Sequence, residues 1–380
     1  MTRPPLIYLI AGEQSGDILG ARLIRAIRSR RPDVTFTGIG GSVMAAEGVP
    51  SLFPVSDLAV MGLLEVLPRI FRLRALFRQA IESVRTRRPD VLVTIDSPGF
   101  TLRILEALRD SGLKRVHYVA PQVWAWREHR VKRYPGLWDE LLCLLPFEPA
   151  FFAKHNLTGQ FVGHSVLESG ADQGNPVRFR ATHAIPAEAR ILTIMPGSRH
   201  TEVSRLLPVL EATLKRLPPD LIPVVPLAGP VAEAVRQNTQ NWPTRPILVT
   251  DPEEKFDAFA ASAAALTKSG TSTLELALAG VPMVVTYKVN AVTHWMIKRA
   301  ARVKYASIIN LLLDRMVLPE LLQENGTPDR LAEAVGRLLQ DPAAAAAQKA
   351  DCAQAIAMLR PPSGLPSEAA AEAVLGLLGR

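Results

Sequence analysis

The chain has 380 residues, enough for two domains, and its 48% hydrophobic and 21% charged residues exclude an intrinsically disordered protein. Its two cysteines provide neither a disulfide framework nor a metal-ligand spacing, so we expect a protein of a reducing compartment. The net charge is +8, with 22 lysines and arginines against 16 acids in residues 1–168, which favours anionic lipid or a phosphorylated substrate; no nucleic-acid-binding motif accompanies it.

The first half of the chain alternates short apolar runs with helical patterns and predicts an α/β domain. Helices are expected at Ile18–Arg31 and from Thr101 onward. The runs are apolar throughout, as in strands buried on both faces of a parallel, doubly wound sheet. The first run is too short and too soon interrupted for a signal peptide or a membrane span. The expected strands are Leu6–Ile10, Val34–Gly38, Val91–Ile95, Arg115–Val119 and Leu141–Leu145.

Polar turns follow the first and third of these strands. Glu13, Ser15 and Gly16 belong to the turn GEQSGD, whose GxxSG pattern could bind an acceptor phosphate through backbone amides. Because it is not a GxGxxG pattern, a nicotinamide site is not indicated. Asp96 ends the third strand, where apolar walls that raise its pKa would make it a general base. The alternative is that Asp96 only caps the following helix.

The stretch VAPQVWAWR places two tryptophans two residues apart. Trp124, Trp126 and the adjacent Arg127 could form a platform for a sugar or an acyl chain on the acceptor side. Aromatic residues at this spacing also pack in protein cores, and the sequence leaves both interpretations open.

Residues 58–88 join an apolar stretch, LAVMGLLEVL, to a helical pattern with seven arginines and one acid. A basic amphipathic helix beside an apolar stretch suits docking on an anionic membrane surface. The alternative is a helix packed on the sheet with a solvated basic face, and the two are compatible. The residues expected to face the membrane are Met61, Leu63, Leu64, Leu67, Arg69, Arg72, Arg74 and Arg78.

Past Gly163 the periodicity fades, and residues 168–188, rich in glycine, proline and polar residues, are predicted to be a linker. A second α/β alternation follows, with helices at His200–Arg216 and Val231–Gln240 and further helices at the end of the chain. Two such domains, with ligand turns at the carboxyl ends of both sheets, are expected to face each other across a cleft. The second set of strands is expected at Ile191–Met195, Ile222–Leu227, Ile247–Thr250, Ala263–Thr267 and Met283–Tyr287.

Two turns of the second half have the features of phosphate sites. One is the turn MPGSRHTE, which contains Gly197, Ser198, Arg199 and Glu202 and could present amides and a guanidinium to a pyrophosphate. The other opens a helix through Ser269, Gly270, Thr271 and Ser272, and it is followed by Glu275, whose carboxylate could bridge two vicinal sugar hydroxyls. Each turn alone could be an ordinary helix cap, but the pair favours a nucleotide diphosphate.

No metal site is predicted. His117, His129 and His164 lack carboxylate partners at metal-binding spacing, and the chain contains no Asp-x-Asp pattern. We therefore expect Arg199 and helix ends to neutralise a bound pyrophosphate.

Taken in order, these stretches resemble the lipid-A-disaccharide synthase family of glycosyltransferases. The resemblance covers most of the chain and implies a GT-B fold of two Rossmann-like domains facing across a cleft. Residues 1–168 would form the acceptor and membrane-facing domain, residues 169–345 the UDP-sugar domain, and residues 346–380 helices that return to the first domain. It is carried by AGEQSGDILGA, AVMGLLEVL, IDSPGF, VAPQVWAWR, LLPFEPAFF, FVGH, MPGSR, SGTSTLEL with GVPMVV, IINLLL and VLPELLQ.

The family's functional residues map onto four positions of this chain. Asp96 matches its essential aspartate, Arg199 its essential arginine, and Glu275 and Asn310 donor-site positions. The chain departs from the usual family pattern at Ser97 and Gly99, where Ala and Asp are common, and at Leu313 and Asp314. The loss of the second acid removes a rival for the role of base.

The resemblance implies an inverting transfer from UDP-2,3-diacylglucosamine to the 6-hydroxyl of 2,3-diacylglucosamine 1-phosphate, with no cofactor. It implies a cytoplasmic protein that associates peripherally with the anionic inner membrane. Whether it is a monomer or a homodimer stays open. The alternatives are a UDP-sugar epimerase of the same fold, against which residues 58–88 speak, and a non-enzymatic acyl-lipid carrier, which would not need two phosphate turns.

Overall fold

The computed structural model describes residues 3–58, 63–290, 294–295, 299 and 301–378, without the side chains of residues 63–70. The chain forms two compact units, the first made of Met1–Ser165 with Leu359–Arg380 and the second of Val166–Met358. Each unit contains a six-stranded parallel sheet with helices on its faces. The predicted α/β class is therefore confirmed.

The first sheet has the order β2-β1-β3-β4-β5-β6, and all of its pairs are parallel. Its strands are β1 Leu6–Ala11, β2 Thr35–Ile39, β3 Val91–Ile95, β4 Lys114–Tyr118, β5 Glu140–Cys143 and β6 Gln160–Phe161. Between them lie α1 Gln14–Arg30, α2 Ser42–Ala46, α3 Leu63–Arg87, α4 Pro98–Ala107, α5 Val123–Trp126 and α6 Glu148–Ala153, and short 3₁₀ turns at Val55–Asp57 and Glu128–Arg133.

Apolar side chains cover both faces of this sheet. Leu76, Ala80 and Val84 of α3 join the cluster on one face, where the Tyr8 hydroxyl of β1 donates to Ser83 Oγ at 2.9 Å. Helix α1 lies on the other face. These buried strands explain the continuous apolar runs in the sequence.

The second sheet has the order β12-β11-β10-β7-β8-β9, again with parallel pairs. Its strands are β7 Ile191–Met195, β8 Ile222–Pro226, β9 Ile247–Val249, β10 Ala264–Lys268, β11 Met283–Tyr287 and β12 Glu320–Leu322. Its helices include α7 Pro176–Thr182, α8 His200–Leu214, α9 Ala232–Thr239, α10 Pro252–Ala261, α11 Thr271–Leu278, α12 Ile308–Leu313, α13 Pro328–Gln340 and α14 Pro342–Met358, with 3₁₀ turns at Ser165–Glu168, Ala171–Gln173, Gly229–Val231 and Gln323–Asn325.

The predicted linker is wrong for Pro176–Thr182. This stretch is helix α7, capped by Asn175 and packed on α10. Phe179 is buried, and Arg178 forms an ion pair with the buried Asp257 of α10. The sequence shows no apolar helical periodicity here, because Phe179 is the one residue of this helix that is buried.

The end of the chain returns to the first unit at Leu359, whereas residue 346, where the sequence placed this boundary, lies within α14. The last helix, α15 Pro366–Leu378, packs on α1, β3 and β4 through Ala370, Ala371 and Val374. Within the described ranges, no helix is long and apolar enough to cross a membrane.

Candidate functional site

In the first unit, the carboxyl ends of β3 and β4 hold three non-glycine residues in the left-handed backbone region. The φ angles are +50° at Asp96, +47° at Ser97 and +78° at Val119. Such conformations cost about 1–3 kcal/mol each and cluster at functional sites. The strain therefore marks this edge of the sheet as a candidate site.

Asp96 is half-buried at this edge, and its carboxylate is held in place. Its Oδ1 accepts from the Ser97 amide at 2.7 Å, and the Ser15 hydroxyl also hydrogen-bonds to the carboxylate. Burial raises the pKa of Asp96 above its usual value, although both hydrogen bonds oppose the rise. Helix α4 begins at Pro98 with Ser97 as its N-cap residue, so Asp96 does not cap it, and the capping alternative is wrong.

The GEQSGD turn packs directly against the Asp96 turn. A Cβ on Gly12 would lie 2.5 Å from the Ser97 Cβ, so only glycine allows this approach. Gly16 packs against the Ile95 backbone, and Glu13 is exposed at the start of α1. The structure thus brings Ser15 and Gly16 together with Asp96, because β1 and β3 are paired.

Asp17, which was not predicted to be a functional residue, connects the GEQSGD turn to the start of α2. Its buried carboxylate accepts from the amides of Gly41, Val43 and Met44 at 2.7–3.0 Å. These bonds satisfy the first turn of α2, so Asp17 acts as a structural anchor.

The two tryptophans have different surroundings. Trp124 donates its indole N–H to the buried Glu148 Oε1 at 3.1 Å and packs edge-on against Phe147. Trp126 is 44% exposed, and the Arg127 guanidinium lies 3.7 Å above its ring. Of the two tryptophans, Trp126 is therefore the one that presents an open aromatic surface.

Glu148 is a buried carboxylate that the sequence did not reveal as a site residue. It accepts from the amides of Leu144 and Leu145 at 3.0 Å as well as from Trp124. Burial, only partly offset by these bonds, raises its pKa to about 7. It fixes α5 to the end of β5.

Of the residues predicted to face a membrane, only three side chains lie within the described part. Arg72, Arg74 and Arg78 of α3 are exposed, and Phe71 beside them is 76% exposed. Helix α3 packs on the sheet through its opposite side, as one of the two interpretations required. Met61 lies outside the described residues, and the side chains of Leu63, Leu64, Leu67 and Arg69 are not described.

In the second unit, the turn after β7 closes around a buried acid. Gly197 has φ +115°, and a Cβ there would lie 2.6 Å from Glu202 Oε2. Glu202 is 4% exposed, and it accepts from the Ser198 amide at 3.3 Å. Arg199 approaches the same carboxylate at 3.5 Å while its side chain is half-exposed. The guanidinium is thus tethered at one side and open to solvent at the other.

The turn after β10 lies beside this one because β7 and β10 are paired. Helix α11 begins at Thr271, and Thr273 Oγ1 donates to the Gly270 carbonyl at 2.7 Å. Ser272 lies in the first turn, where backbone N–H groups have no partner within the helix. Ser269 Oγ donates to the Ala306 carbonyl at 2.9 Å, tying this turn to the segment before α12.

Glu275, the predicted partner of sugar hydroxyls, forms an ion pair with Lys255 of α10. Lys255 Nζ lies 3.0 Å from Oε1 and 3.1 Å from Oε2 and is stacked 4.5 Å from the centre of the Phe256 ring. A carboxylate has about four lone-pair directions, so this pairing leaves acceptor capacity for two hydroxyls. The pairing crosses twenty residues of sequence, and no local pattern indicates it.

Asn310 is completely buried, and its amide is saturated within the chain. Its Nδ2 donates to the Leu318 carbonyl and Glu320 Oε1, and its Oδ1 accepts from the amides of Val317 and Leu318, all at 2.8–2.9 Å. Glu320 also accepts from the amides of Ala306 and Ser307 at 2.8 Å. The side chain of Asn310 therefore positions the segment that contacts Ser269.

Comparison with known proteins finds relatives that match nearly the whole chain. The sequence model of the lipid-A-disaccharide synthetase family matches residues 7–374. A lipid-A-disaccharide synthase from Granulibacter bethesdensis is 54% identical over a 390-residue alignment that covers 99% of each chain. A match of this extent spans both units.

Two solved structures show the same architecture. MurG of Acinetobacter baumannii superposes with a TM-score of 0.59 at 15% identity, covering 98% of this chain and 100% of that one. A UDP-GlcNAc 2-epimerase from Neisseria meningitidis, solved with UDP-GlcNAc, gives 0.66 at 12% identity, covering 99% and 100%. At such identities the likeness establishes the fold alone, which is of GT-B type with two Rossmann-like sheets, as predicted.

Proposed function

The chain belongs to the lipid-A-disaccharide synthetase family, and we propose that its donor is UDP-2,3-diacylglucosamine and its acceptor 2,3-diacylglucosamine 1-phosphate. As a member of this family it is a hexosyltransferase of lipid A synthesis. In the proposed reaction the acceptor 6-hydroxyl attacks the anomeric carbon, UDP leaves, and a β-1,6 disaccharide 1-phosphate forms with inversion.

One observation carries the assignment of the donor to the second unit. The turns at Gly197–Glu202 and Ser269–Ser272 follow paired strands, and each leads into a helix N-terminus. Amides and the positive ends of two helix dipoles at one edge favour a diphosphate. Glu275 lies one turn into the second helix, where its remaining acceptor capacity suits the ribose hydroxyls. The Neisseria epimerase, which shares this fold, was solved with UDP-GlcNAc bound.

Asp96 is our candidate for the general base. Its carboxylate is held by Ser15 and Ser97, and burial shifts its pKa toward the working pH, where a base accepts a proton more effectively. The proton of the acceptor 6-hydroxyl passes to Asp96 as the new glycosidic bond forms. The neighbouring amides of the GEQSGD turn suit the acceptor phosphate, and Trp126 with Arg127 suits its sugar or acyl part.

Arg199 and the two helix ends stabilise the departing UDP in this proposal. Donors fixed before the reaction are worth about 3 kcal/mol each when charge develops on a leaving group. The half-exposed guanidinium of Arg199 is free on the side away from Glu202. We place the exposed arginines and Phe71 of α3 against the anionic inner-membrane surface from which both lipid substrates come.

The proposal is tested by incubating the protein with UDP-2,3-diacylglucosamine in detergent and EDTA, with and without the acceptor, and measuring UDP release. Release that requires the acceptor and persists in EDTA is the expected result. Release without acceptor would indicate hydrolysis or the chemistry of an epimerase, the alternative that shares this fold. No release in either case would contradict the choice of donor.

A further inference from the structure

Lys268 lies between the two phosphate-type turns of the second unit. It is the last residue of β10 and comes directly before the Ser269 turn. Its Nζ lies 3.4 Å from Glu202 Oε1 in the first turn. The same Nζ lies 3.0 Å from the position that a Cβ on Gly270 would occupy in the second turn. One ammonium group therefore lies close to both turns.

The carboxylate of Glu202 holds this lysine and Arg199 together. Both cations approach the same oxygen, Oε1, at 3.4 and 3.5 Å, while Oε2 accepts from the Ser198 amide at 3.3 Å. The Tyr287 hydroxyl also hydrogen-bonds to the acid. Charge-assisted hydrogen bonds are normally about 2.7–2.9 Å long, so these contacts are loose for a carboxylate that is 4% exposed.

The local charge is positive despite the buried acid. Arg205, one turn along α8, acts electrostatically on Tyr287 together with Arg199. Two cations, Arg199 and Lys268, thus pair with one carboxylate. Without Glu202, the guanidinium of Arg199 and the ammonium of Lys268 would repel each other. Glu202 therefore keeps Arg199 and Lys268 close together, and the three groups retain a net positive charge.

We propose that Lys268 is a second cation for the diphosphate of the nucleotide, and that Glu202 holds Lys268 and Arg199 in position until the diphosphate binds. This inference rests on the UDP site proposed above. A lysine supplies a compact charge on a flexible stem, so its Nζ can turn from Glu202 to a phosphate oxygen with little movement. Since Nζ already lies beside the Gly270 turn, it is within reach of an anion bound at the start of α11.

The competing explanation is that Lys268 only neutralises Glu202. The two roles differ in how the effect of a substitution depends on the ligand. If Lys268 binds phosphate, its substitution weakens the binding of UDP most, weakens that of UMP less, and leaves that of uridine unchanged. A lysine that only supports the fold affects all three ligands equally, because the uridine site then depends on the same packing.

The test measures binding of UDP, UMP and uridine to the intact protein by calorimetry, with ligand-observed NMR for weak binding. The variants are Lys268→Met and Lys268→Gln. The glutamine can still donate a hydrogen bond to Glu202, so Lys268→Gln serves as the test if Lys268→Met does not fold. Lys215→Met is the matched control, since Lys215 is an exposed lysine of the same unit paired with Glu211. Thermal melting verifies the fold of each variant.

We expect both Lys268 variants to bind UDP about tenfold more weakly or worse, with uridine unchanged and a shallower salt dependence of UDP binding. Lys215→Met should match the wild type. Unchanged UDP affinity, or an equal loss for uridine and UDP, would overturn the role of Lys268 while leaving the donor site intact. A wild-type protein that does not bind UDP would instead overturn the proposed function, and this inference with it.

Discussion

Asn310→Ala should destabilise the second unit rather than remove a ligand contact. The substitution leaves the buried amide and the carbonyl of Leu318 without their side-chain partner, whereas the half-buried Val317 amide keeps its bond to the Arg315 carbonyl. Each unsatisfied buried group costs about 1–3 kcal/mol, so a loss of about 3 kcal/mol or more is expected. For a unit of this size, 1 kcal/mol lowers the melting temperature by about 2–4 °C, which predicts a fall of roughly 6–12 °C.

The assay is calorimetric melting with and without UDP. Asn238→Ala is the matched control, since Asn238 is exposed on α9 and its side-chain amide donates to the Ala234 carbonyl of the same helix, and it should melt close to the wild type. Asn310→Asp keeps the two acceptor bonds but turns an oxygen toward Glu320, so it should also be destabilised. An Asn310→Ala protein with an unchanged melting temperature and weakened UDP binding would refute this reasoning.

Three further outcomes are expected. Asp96→Asn should reduce turnover by about a hundredfold or more with UDP affinity nearly unchanged, as initial rates and calorimetry would show; lost UDP binding would contradict its role as base. Gly197→Ala should weaken UDP binding about tenfold or more, because its φ is unfavourable for alanine and the new Cβ would push Glu202; UDP titration measures this, and an unchanged affinity would be evidence against this turn as the UDP site. Because burial raises the pKa of Glu148 to about 7, protonation of Glu148 favours the folded state. This stabilisation is fully present below about pH 4.5 and is lost as the pH rises through 7, which lowers the free energy of unfolding by roughly 3 kcal/mol. Glu148→Gln should flatten this part of the stability profile in denaturant unfolding, and an unaltered slope would contradict it.

The sequence predicted the central strands closely because each is a continuous apolar run. Strands β3, β7 and β11 have their predicted bounds, and β10 is shifted by one residue. The edge strands β6 and β12 were missed because neither their two nor their three residues form a continuous apolar run, unlike the three residues of β9. Helix α7 was missed because its burial depends on one aromatic side chain in a polar stretch.

The candidate site was predictable where it depends on local turns and not where it depends on distant partners. The turns containing Asp96, Gly197 and Gly270 all lie at carboxyl ends of strands, as parallel sheets require. The pairs that complete them, Lys255 with Glu275 and Lys268 with Glu202, join residues far apart in sequence. Single-sequence patterns do not encode such pairs, since they form only when the strands align.

The most direct measurement of the central claim is the structure of the product. The protein is incubated with UDP-2,3-diacylglucosamine and 2,3-diacylglucosamine 1-phosphate, and the product's linkage and anomeric configuration are determined by NMR. We predict a disaccharide 1-phosphate whose two sugars are joined by a β-1,6 bond, one for each UDP released. An α-linked product would contradict inversion, and an epimerised UDP-sugar without any disaccharide would contradict the transferase assignment itself.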